Sequence, residues 1–568
     1  MPFRLSLILV AAICAAMAWA MLWLNDGTFL YTQDDPYIHL ALAENLARGH
    51  YGINTLEFSS PSSSILYPLL LVPGVPAGVE HALPLAINLA ALLAAVWLLQ
   101  RLARRAVGPV TAGAERRLAI ALVVLVLSLN LVGLAFTGLG HSLQVLVSLV
   151  VLFGLVVTFE DGRFPWWLAV AIVVGPLIRY EGLAISLAAA IVLTLGGWWR
   201  PAAASVLLLS LLLAAHGGYL AHLGLPILPS SVMVKSPVAW SLGDVEAPPL
   251  WRTLLANLQS GLASERGLVL AVLSWLVALG AVRARPFRWR NVESALAGFI
   301  MLAVAAHFLA GRFGWFSRYE IYIMSAVAAA LLYVWRRPFG RLVAARSPWP
   351  TLALVAAIAA AGWPYLRTTA LTPIASNEVY HQQWQMHRFA TEFLRGPAAV
   401  NDLGLLSYRN PHYVLDIWGL GLEEIRRANA SGIARTEIID RLVRERGVQV
   451  AMIYAHWFPD VLPASWLAVA KLNLGHRAYA VDTATVTFFA TSPEAVGEVR
   501  ALLERFAATL PPGPRLELLP QGGLRRNKSQ RSPRYTAWSR ASDSSSGVTG
   551  RSLCASTQSN SASAQICE

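Results

Sequence analysis

Cysteine is nearly absent from this chain of 568 residues. The three cysteines are Cys14, in an apolar segment, and Cys554 and Cys567, far along the sequence. No Cys-x-x-Cys pair or Cys/His cluster occurs, which argues against a disulfide framework and against a cysteine zinc site.

Charged residues are also scarce. They make up 14% of the chain and hydrophobic residues make up 56%, whereas soluble domains carry about 25% charged residues. The deficit lies mostly before about residue 365, and from there to about 515 the composition is that of an ordinary globular protein. The sequence therefore predicts a membrane body at residues 1–366 and a soluble domain at residues 367–515.

Acidic residues are outnumbered, and the net charge is +13. In a soluble protein this excess would suggest binding to nucleic acid. Here many of the arginines stand in short loops between apolar segments, where they orient membrane helices. The expected partner is therefore the lipid bilayer and not nucleic acid.

About eleven apolar stretches are long enough to cross a bilayer. They lie near residues 5–24, 82–100, 118–137, 142–158, 166–178, 183–198, 202–222, 267–283, 294–311, 319–335 and 350–366. We interpret the first as an uncleaved anchor rather than a signal peptide, because the run is about twenty residues long.

A further stretch, 64–79, is interrupted by three prolines and is predicted not to span. Only then do all three arginine-rich loops share the cytoplasmic side, as the positive-inside rule requires. The extracytoplasmic side then receives the first loop, 25–62, the loop 223–266 and everything after about residue 367. Loops of this length usually carry function.

Residues 367–515 are predicted to form a mixed α/β domain. Short apolar runs at 398–403, 413–418, 448–454 and 484–490 predict strands, and residues 377–395, 435–446 and 493–509 predict helices. Residues 521–568 are rich in serine with almost no large apolar residue, so this tail is predicted to be disordered.

The first loop holds the most informative residues, the adjacent carboxylates Asp34 and Asp35. Pro36 follows them and favours the first turn of a helix, which Gly49 would end. Asp35 is well placed to cap that helix, whereas Asp34 is predicted to face a cavity. One carboxylate left free beside a structural one suits general-base chemistry.

Cationic residues recur on the same predicted side of the membrane. Arg179 and Glu181 stand at a helix end, Lys235 lies in a proline-opened loop, and Arg312 and Arg318 flank aromatic residues. Each has an ordinary alternative: a structural ion pair, a solvated lysine or interfacial anchoring. Together they predict a cationic pocket at membrane level, which suits an anionic lipid head group.

These motifs resemble those of the GT-C glycosyltransferases, and most closely bacterial arabinofuranosyltransferase-like and mannosyltransferase-like members. The matching residues are Asp34, Asp35, Tyr37, Ile38, Asn45, Leu46, Gly49, Asn54, Ser60, Pro61, Arg179, Glu181, Gly182, Pro229, Ser231, Lys235, Arg318, Tyr319, Asp402, Gly404, Asp416, Gly419 and Leu420. The chain departs from the pattern at Pro36, Tyr180 and Ser230, and at Gly138–His141 it lacks a carboxylate that relatives often show.

The resemblance implies an inverting transfer of a sugar from a polyprenyl-phosphate donor to an extracytoplasmic glycan, lipid or protein, at a bacterial inner membrane. Asp34 would be the general base, with Asp35 supporting it. Donor phosphate would be bound by Arg179, Lys235, Arg312 and Arg318, with Tyr37, His39, Asn54, Glu181 and Tyr319 in supporting positions. No metal ligand set is assigned, although a divalent cation at Asp34 and Asp35 is left open.

Two other classes of function remain open on the sequence. A transporter or flippase would show inverted repeats and matched broken helices, whereas this chain shows one proline-broken segment and no internal repeat. A non-catalytic scaffold for envelope assembly stays open because of the missing carboxylate near Gly140.

Overall fold

The computed structural model describes residues 3–236, 238–239, 241, 248–284, 286–431 and 435–520. The described residues all belong to one compact unit. The predicted disordered tail, 521–568, lies outside the described residues.

Helices dominate the first two thirds of the chain. The α-helices are Phe3–Leu24, Asp35–Ala47, Leu66–Leu71, Gly74–Ala77, Leu83–Val107, Ala112–Ser128, Leu131–Ala135, His141–Asp161, Trp166–Ile178, Leu183–Leu195, Trp199–His222, Ser230–Lys235, Leu250–Ala263, Glu265–Ala284, Val292–Ala310, Ile321–Val334, Arg336–Ala344, Trp349–Ala361, Trp363–Ala370, Thr372–His381, Gln383–Arg388, Gly404–Ser407, Glu423–Ser431, Arg435–Glu445 and Val496–Ala507. Short 3-10 turns occur at Tyr180–Gly182 and Ala455–Trp457, and a π-helical turn at Phe389–Leu394.

Six of the described helices are long and apolar enough to cross a membrane. They are Arg4–Leu24, Leu83–Val107, His141–Asp161, Trp199–His222, Glu265–Ala284 and Val292–Ala310, and a seventh span results if Trp349–Ala361 and Trp363–Ala370, bent by 77°, count as one. The chain is thus a polytopic helical membrane protein. The predicted number of about eleven spans is not confirmed.

Several predicted spans form helices that are too short to cross a bilayer. Trp166–Ile178 has 13 residues and Ile321–Val334 has 14, so each reaches about 20 Å along its axis, less than the roughly 30 Å of a hydrocarbon core. The run 118–137 is divided at Asn130, whose φ of 52° is left-handed. The segment 64–79 breaks into two short helices, as its prolines predict.

A six-stranded sheet forms the C-terminal part of the described chain. Its strands are β1 (Ala398–Val400), β2 (Val414–Asp416), β3 (Val450–Ile453), β4 (Leu467–Asn473), β5 (Thr485–Ala490) and β6 (Arg515–Leu518). Their order is β2-β1-β3-β5-β4-β6, with β1 parallel to β2 and β3 and the other pairs antiparallel.

The sequence predicts four of these strands within a few residues and misses β4 and β6. The four predicted strands are buried almost throughout, so they read as apolar runs, whereas β6 has no buried residue. An exposed edge strand lacks the hydrophobic pattern on which such a prediction depends.

The first loop shares a hydrophobic core with the sheet. Tyr31, Tyr37 and Leu40 are fully buried in the same apolar cluster as Val400 and Phe488. Full burial of such a side chain stabilises by about 1.5–3 kcal/mol. The first loop is therefore anchored on the sheet as well as on the membrane helices beside it.

Glu378 fastens the helix Thr372–His381 to the loop before β5. Its carboxylate is fully buried and accepts backbone N–H bonds from Tyr479 (2.8 Å), Ala480 (2.7 Å) and Val481 (3.2 Å). We expect Glu378→Ala to lower the thermal unfolding midpoint of the detergent-purified protein clearly, since three backbone donors lose their carboxylate acceptor and a hydrogen bond to a charged group contributes about 1.5–3 kcal/mol.

The matched control is Glu392→Ala. The Glu392 side chain is 51% exposed and pairs with Arg388 one helical turn away, so its loss should change the midpoint little. Equal midpoints for the two variants would show that Glu378 does not hold the loop.

Candidate functional site

The two adjacent carboxylates of the first loop point to different partners. The carboxylate oxygens of Asp34 accept backbone N–H bonds from Gly404 (2.6 Å) and Leu405 (2.8 Å). Asp34 also stands at the N-cap position of the helix Asp35–Ala47, and its carbonyl accepts the N–H of Tyr37. The prediction that Asp35 caps this helix is therefore wrong, because the first helical hydrogen bond begins one residue earlier.

Asp35 faces the cations. Its Oδ2 accepts hydrogen bonds from Nη2 of Arg318 at 2.5 Å and from Nζ of Lys235 at 3.4 Å. The Arg318 side chain is almost fully buried, donates a second bond to the side-chain oxygen of Gln33 and lies 5.1 Å from the ring centroid of Tyr319. A guanidinium held on several sides has a fixed direction, as recognition of a carboxylate or phosphate requires.

A small polar pocket surrounds this ion pair. Its polar and charged lining residues are Asp35, His39, Ser63, His141, Arg179, Lys235, Arg318 and Tyr319, and its volume is about 20 Å³, room for about one water molecule. Five of the predicted site residues, namely His39, Arg179, Lys235, Arg318 and Tyr319, are thus brought together around Asp35.

The other predicted site residues lie outside the lining of this pocket. Glu181 pairs with Arg179 at 2.8 Å, which is the structural ion pair that the sequence left open. The hydroxyl of Tyr37 accepts the N–H of Tyr31 inside the core. Asn54 lies at the sheet, and Arg312 stands in the partly exposed turn before Arg318.

Asn54 joins the first loop to β2. Its amide nitrogen donates to the carbonyl of Val414 at 3.0 Å, and its amide oxygen accepts the N–H of the same residue at 3.0 Å. Glu57 adds a hydrogen bond from the Tyr413 hydroxyl at 2.7 Å. The first loop is therefore bound to the edge of the sheet at several points.

The environments of Asp34 and Asp35 drive their pKa values apart. Burial alone would raise the pKa of Asp35, but Lys235 and Arg318 outweigh it and hold this pKa well below its ordinary value. Burial and the neighbouring Asp402 carboxyl raise the pKa of Asp34 to about 8, against the lowering effect of its two backbone donors. Two carboxyls separated in this way can carry different roles in acid–base chemistry.

Gly404 is a site residue whose role the sequence does not reveal. It is one of the residues that match the GT-C pattern, but the sequence does not indicate what it contacts. A Cβ at this position would lie 2.1 Å from the Asp34 carbonyl oxygen and 2.6 Å from its Oδ2. Glycine is therefore required because another part of the chain, 370 residues earlier, approaches its backbone.

A divalent cation does not fit the two aspartates in this arrangement. Within the described residues, no group of three or more His, Cys, Asp and Glu side chains is placed to hold a metal ion. Both oxygens of Asp34 are bound by backbone donors, and Oδ2 of Asp35 already faces two cations. In this arrangement neither aspartate has its oxygens turned to a common open position, as a shared divalent cation would require.

Comparison with known proteins gives few matches in sequence and several in structure. A family model described as a domain of unknown function (DUF8728) matches residues 374–489. No curated protein sequence matches the chain.

Similar solved structures include ArnT from Cupriavidus metallidurans, with 15% identity, 86% of this chain and 98% of that chain covered, and a TM-score of 0.47. An oligosaccharyltransferase from Archaeoglobus fulgidus shows 12% identity, coverage of 79% and 67%, and a TM-score of 0.44. Arabinofuranosyltransferase AftD from Mycobacteria shows 16% identity, coverage of 85% and 40%, and a TM-score of 0.38.

Two of these three structures are named as transferases, an oligosaccharyltransferase and an arabinofuranosyltransferase. This chain spans less than half the length of AftD. The roles of individual residues therefore rest on the contacts within this chain, and the arabinofuranosyl or mannosyl subtype stays a prediction.

The contact between Gly404 and Asp34 leads to a first test. We expect Gly404→Ala to push Asp34 away, because the nearest atom to the new methyl group belongs to rigid backbone. Such overpacking costs about 1–3 kcal/mol, and amide hydrogen exchange of the first loop should become faster. Gly396→Ala is the control, since its Cβ would lie 3.7 Å from the nearest atom. Unchanged exchange in Gly404→Ala would contradict the contact.

The buried carboxyls lead to a second test, of stability against pH. Burial raises the pKa of Asp34 to about 8 and that of Asp402 to about 6, both above the unfolded value of about 4. Their contribution to stability is therefore complete below about pH 4 and is lost as the pH rises through the two folded values. We expect the thermal midpoint to fall between about pH 5 and pH 8, and to fall less in Asp402→Asn.

The control is Asp440→Asn, a change at a partly exposed helix position, which should behave as wild type. Equal pH slopes in the wild type and both variants would refute the raised pKa of Asp402.

Proposed function

We propose that this chain is a membrane glycosyltransferase that moves a sugar from a polyprenyl-phosphate donor to an extracytoplasmic acceptor in a bacterial cell envelope. The observation that carries the proposal is the Asp35 carboxylate in a pocket shared with Lys235 and Arg318. A carboxylate that can accept a hydroxyl proton then lies beside cations that can hold a phosphate leaving group.

The cations serve the donor in this proposal. Arg318, Lys235 and Arg179 line one pocket and would neutralise the negative charge that grows on the departing lipid phosphate. Arg318 offers a planar fork of donors that matches phosphate, and Lys235 offers a point charge on a flexible stem. Preorganised charges of this kind are often the largest contribution to catalysis.

Asp35 is the base that the contacts favour. The resemblance to GT-C enzymes assigns this role to Asp34, but both oxygens of Asp34 are bound by Gly404 and Leu405, whereas Asp35 faces the pocket. When a donor phosphate enters the pocket, Lys235 moves to it on its flexible stem and the charge of the fixed Arg318 is shared with it. The Asp35 carboxylate then becomes available to an acceptor hydroxyl. Asp34 then positions Asp35 from the preceding residue.

The reaction that follows is a single displacement. The acceptor oxygen attacks the anomeric carbon, its proton passes to Asp35, and the bond from that carbon to the phosphate oxygen breaks. Polyprenyl phosphate leaves with the electron pair, stabilised by the cations, and the anomeric configuration is inverted. No metal ion is needed for these steps, because Lys235 and Arg318 supply the positive charge.

The division of the chain is part of the proposal. Residues 1–366 would form the catalytic membrane body, with the first loop, 25–62, carrying the carboxylates on the extracytoplasmic side. Residues 367–515 would form the domain that binds this loop and orients the acceptor. Supporting this division, the bonds of Asp34 and Asn54 run from the first loop to the sheet domain.

The test is restoration of an envelope sugar in a deletion strain. We expect the wild-type gene to restore incorporation of one labelled sugar, and Asp35→Asn to reduce its rate by about 10²–10⁴-fold, the usual contribution of a general base. Asp34→Asn should have a smaller effect, since its amide still offers one oxygen to the backbone donors. Expression of all variants is matched by immunoblot.

Asp26→Asn is the control, because it makes the same chemical change in the same loop. Asp26 contacts the Tyr380 hydroxyl at 3.1 Å and is not part of the pocket. Full restoration by Asp35→Asn would reject the proposed base. If deletion of the gene removes no envelope sugar, the result favours the transporter or scaffold interpretation.

A further inference from the structure

The order of the strands predicts a crevice at the carboxyl ends of the parallel strands. The chain passes from β1 to β2 on one side and then places β3 on the other side of β1, all three parallel. In open sheets, the helices before and after such a reversal diverge, and ligands bind in the crevice at the carboxyl ends of the strands. For this strand order the rule predicts the crevice between the ends of β1 and β3.

Aromatic and polar residues follow these strand ends. Asp402 comes after β1, Trp418 after β2, and Tyr454, His456 and Trp457 after β3. Because β5 runs antiparallel to β3, with Ile453 opposite Thr487, the loop that leads into β5 reaches the same edge. That loop contributes Asp482.

The contacts at this edge form an aromatic face with a polar border. The rings of Trp418 and Trp457 are partly exposed, and their centroids lie 4.8 Å apart at 51°. Oδ2 of Asp482 contacts Nε2 of His456 at 2.9 Å and accepts the indole N–H of Trp457 at 2.7 Å. An indole face packs well against the C–H side of a sugar ring, and carboxylates, imidazoles and amides bond its hydroxyls.

Gln383 is a buried residue that contacts two of the residues at these strand ends. It is 3% exposed and donates to the Tyr454 hydroxyl at 3.1 Å and to Asp402 at 3.3 Å. Among the described residues, its amide oxygen has no hydrogen-bond partner. Asp402 lies two residues before Gly404, whose N–H binds Asp34. The carboxyl ends of the strands therefore lie close to Asp34 and Asp35.

The edge strand argues against a peptide as the occupant. An extended peptide would bind by adding a strand to β2, the last strand at this end of the sheet. The N–H and the carbonyl of Val414, the first residue of β2, are both already bonded to Asn54. The partly exposed tryptophans and mixed donors and acceptors fit a saccharide better.

We propose that the crevice at the carboxyl ends of β1 and β3 is a saccharide-binding site that holds a glycan acceptor beside Asp35. The assignment of the glycan as acceptor rests on the proposed function, whereas binding itself does not. Trp418 and Trp457 stack on the sugar ring, and Asp402, His456 and Asp482 bond its hydroxyls.

The test is binding of the full-length, detergent-purified protein to a printed array of bacterial envelope oligosaccharides, with peptide and phospholipid spots on the same slide. The wild type is expected to bind oligosaccharide spots, and Trp457→Ala to weaken that binding at least 10-fold. Trp457→Phe should retain most of it, because the aromatic face remains. Asp482→Asn, a milder change at a partly exposed position, should weaken it several-fold without the risk of unfolding.

Trp363→Ala is the control for loss of a tryptophan, since Trp363 is 63% exposed on a membrane-side helix. The site is refuted by no oligosaccharide binding, by binding that the crevice variants do not change, or by binding to peptide or phospholipid spots alone. Sugar incorporation with Asp35→Asn tests the transfer separately. A saccharide site without an Asp35-dependent sugar would refute the function and leave the site standing.

Discussion

The bonds from Gly404 and Leu405 to the Asp34 carboxylate are the interaction on which the rest of the site depends. They fix the start of the helix Asp35–Ala47 against the sheet domain. Because successive side chains on a helix point about 100° apart, anchoring Asp34 to the sheet turns Asp35 towards Lys235 and Arg318. Burial raises the pKa of Asp34, whereas Lys235 and Arg318 outweigh the same effect at Asp35, so the pKa values of these two neighbouring carboxyls shift in opposite directions.

The position of Arg318 in the pocket depends on a turn with an unfavourable backbone conformation. Trp315, Phe316 and Ser317 have φ values of 49°, 61° and 52°, directly before Arg318. Left-handed backbone costs about 1–2 kcal/mol for each such residue, so the turn persists only because other groups hold it. Glu320 accepts the N–H of Gly314 at 2.9 Å, and Asn130 donates to the carbonyl of Phe316 at 3.3 Å. Strain maintained in this way is typical of positions that serve a site.

The sequence predicts local features well and long-range choices poorly. The pair Asp34–Asp35 before Pro36 identifies the first loop as the candidate site, and apolar runs locate β1, β2, β3 and β5. Each of these signals is contained in a short stretch of sequence. Which aspartate faces the cations depends on Gly404, and no pattern near Asp34 reveals it. The number of spans is not confirmed, for a related reason. The apolar run 118–137 continues across Asn130, but the left-handed Asn130 is held by long-range contacts: its side chain donates to the carbonyl of Phe316 and accepts the hydroxyl of Thr369.

In the proposed transfer, water must be kept from reacting with the donor sugar in place of the acceptor, and the position of the sheet domain bears on this. The pocket at Asp35 has room for about one water molecule, and the helix that carries Asp35 is bonded to the residues directly after β1. A saccharide bound between the ends of β1 and β3 would contact Asp402, two residues from that bond. Occupation of the crevice and the direction of Asp35 are then set by the same short segment, 401–405. In such an arrangement the acceptor that enters the crevice also completes the pocket, and binding energy from parts of the glycan that do not react positions the base.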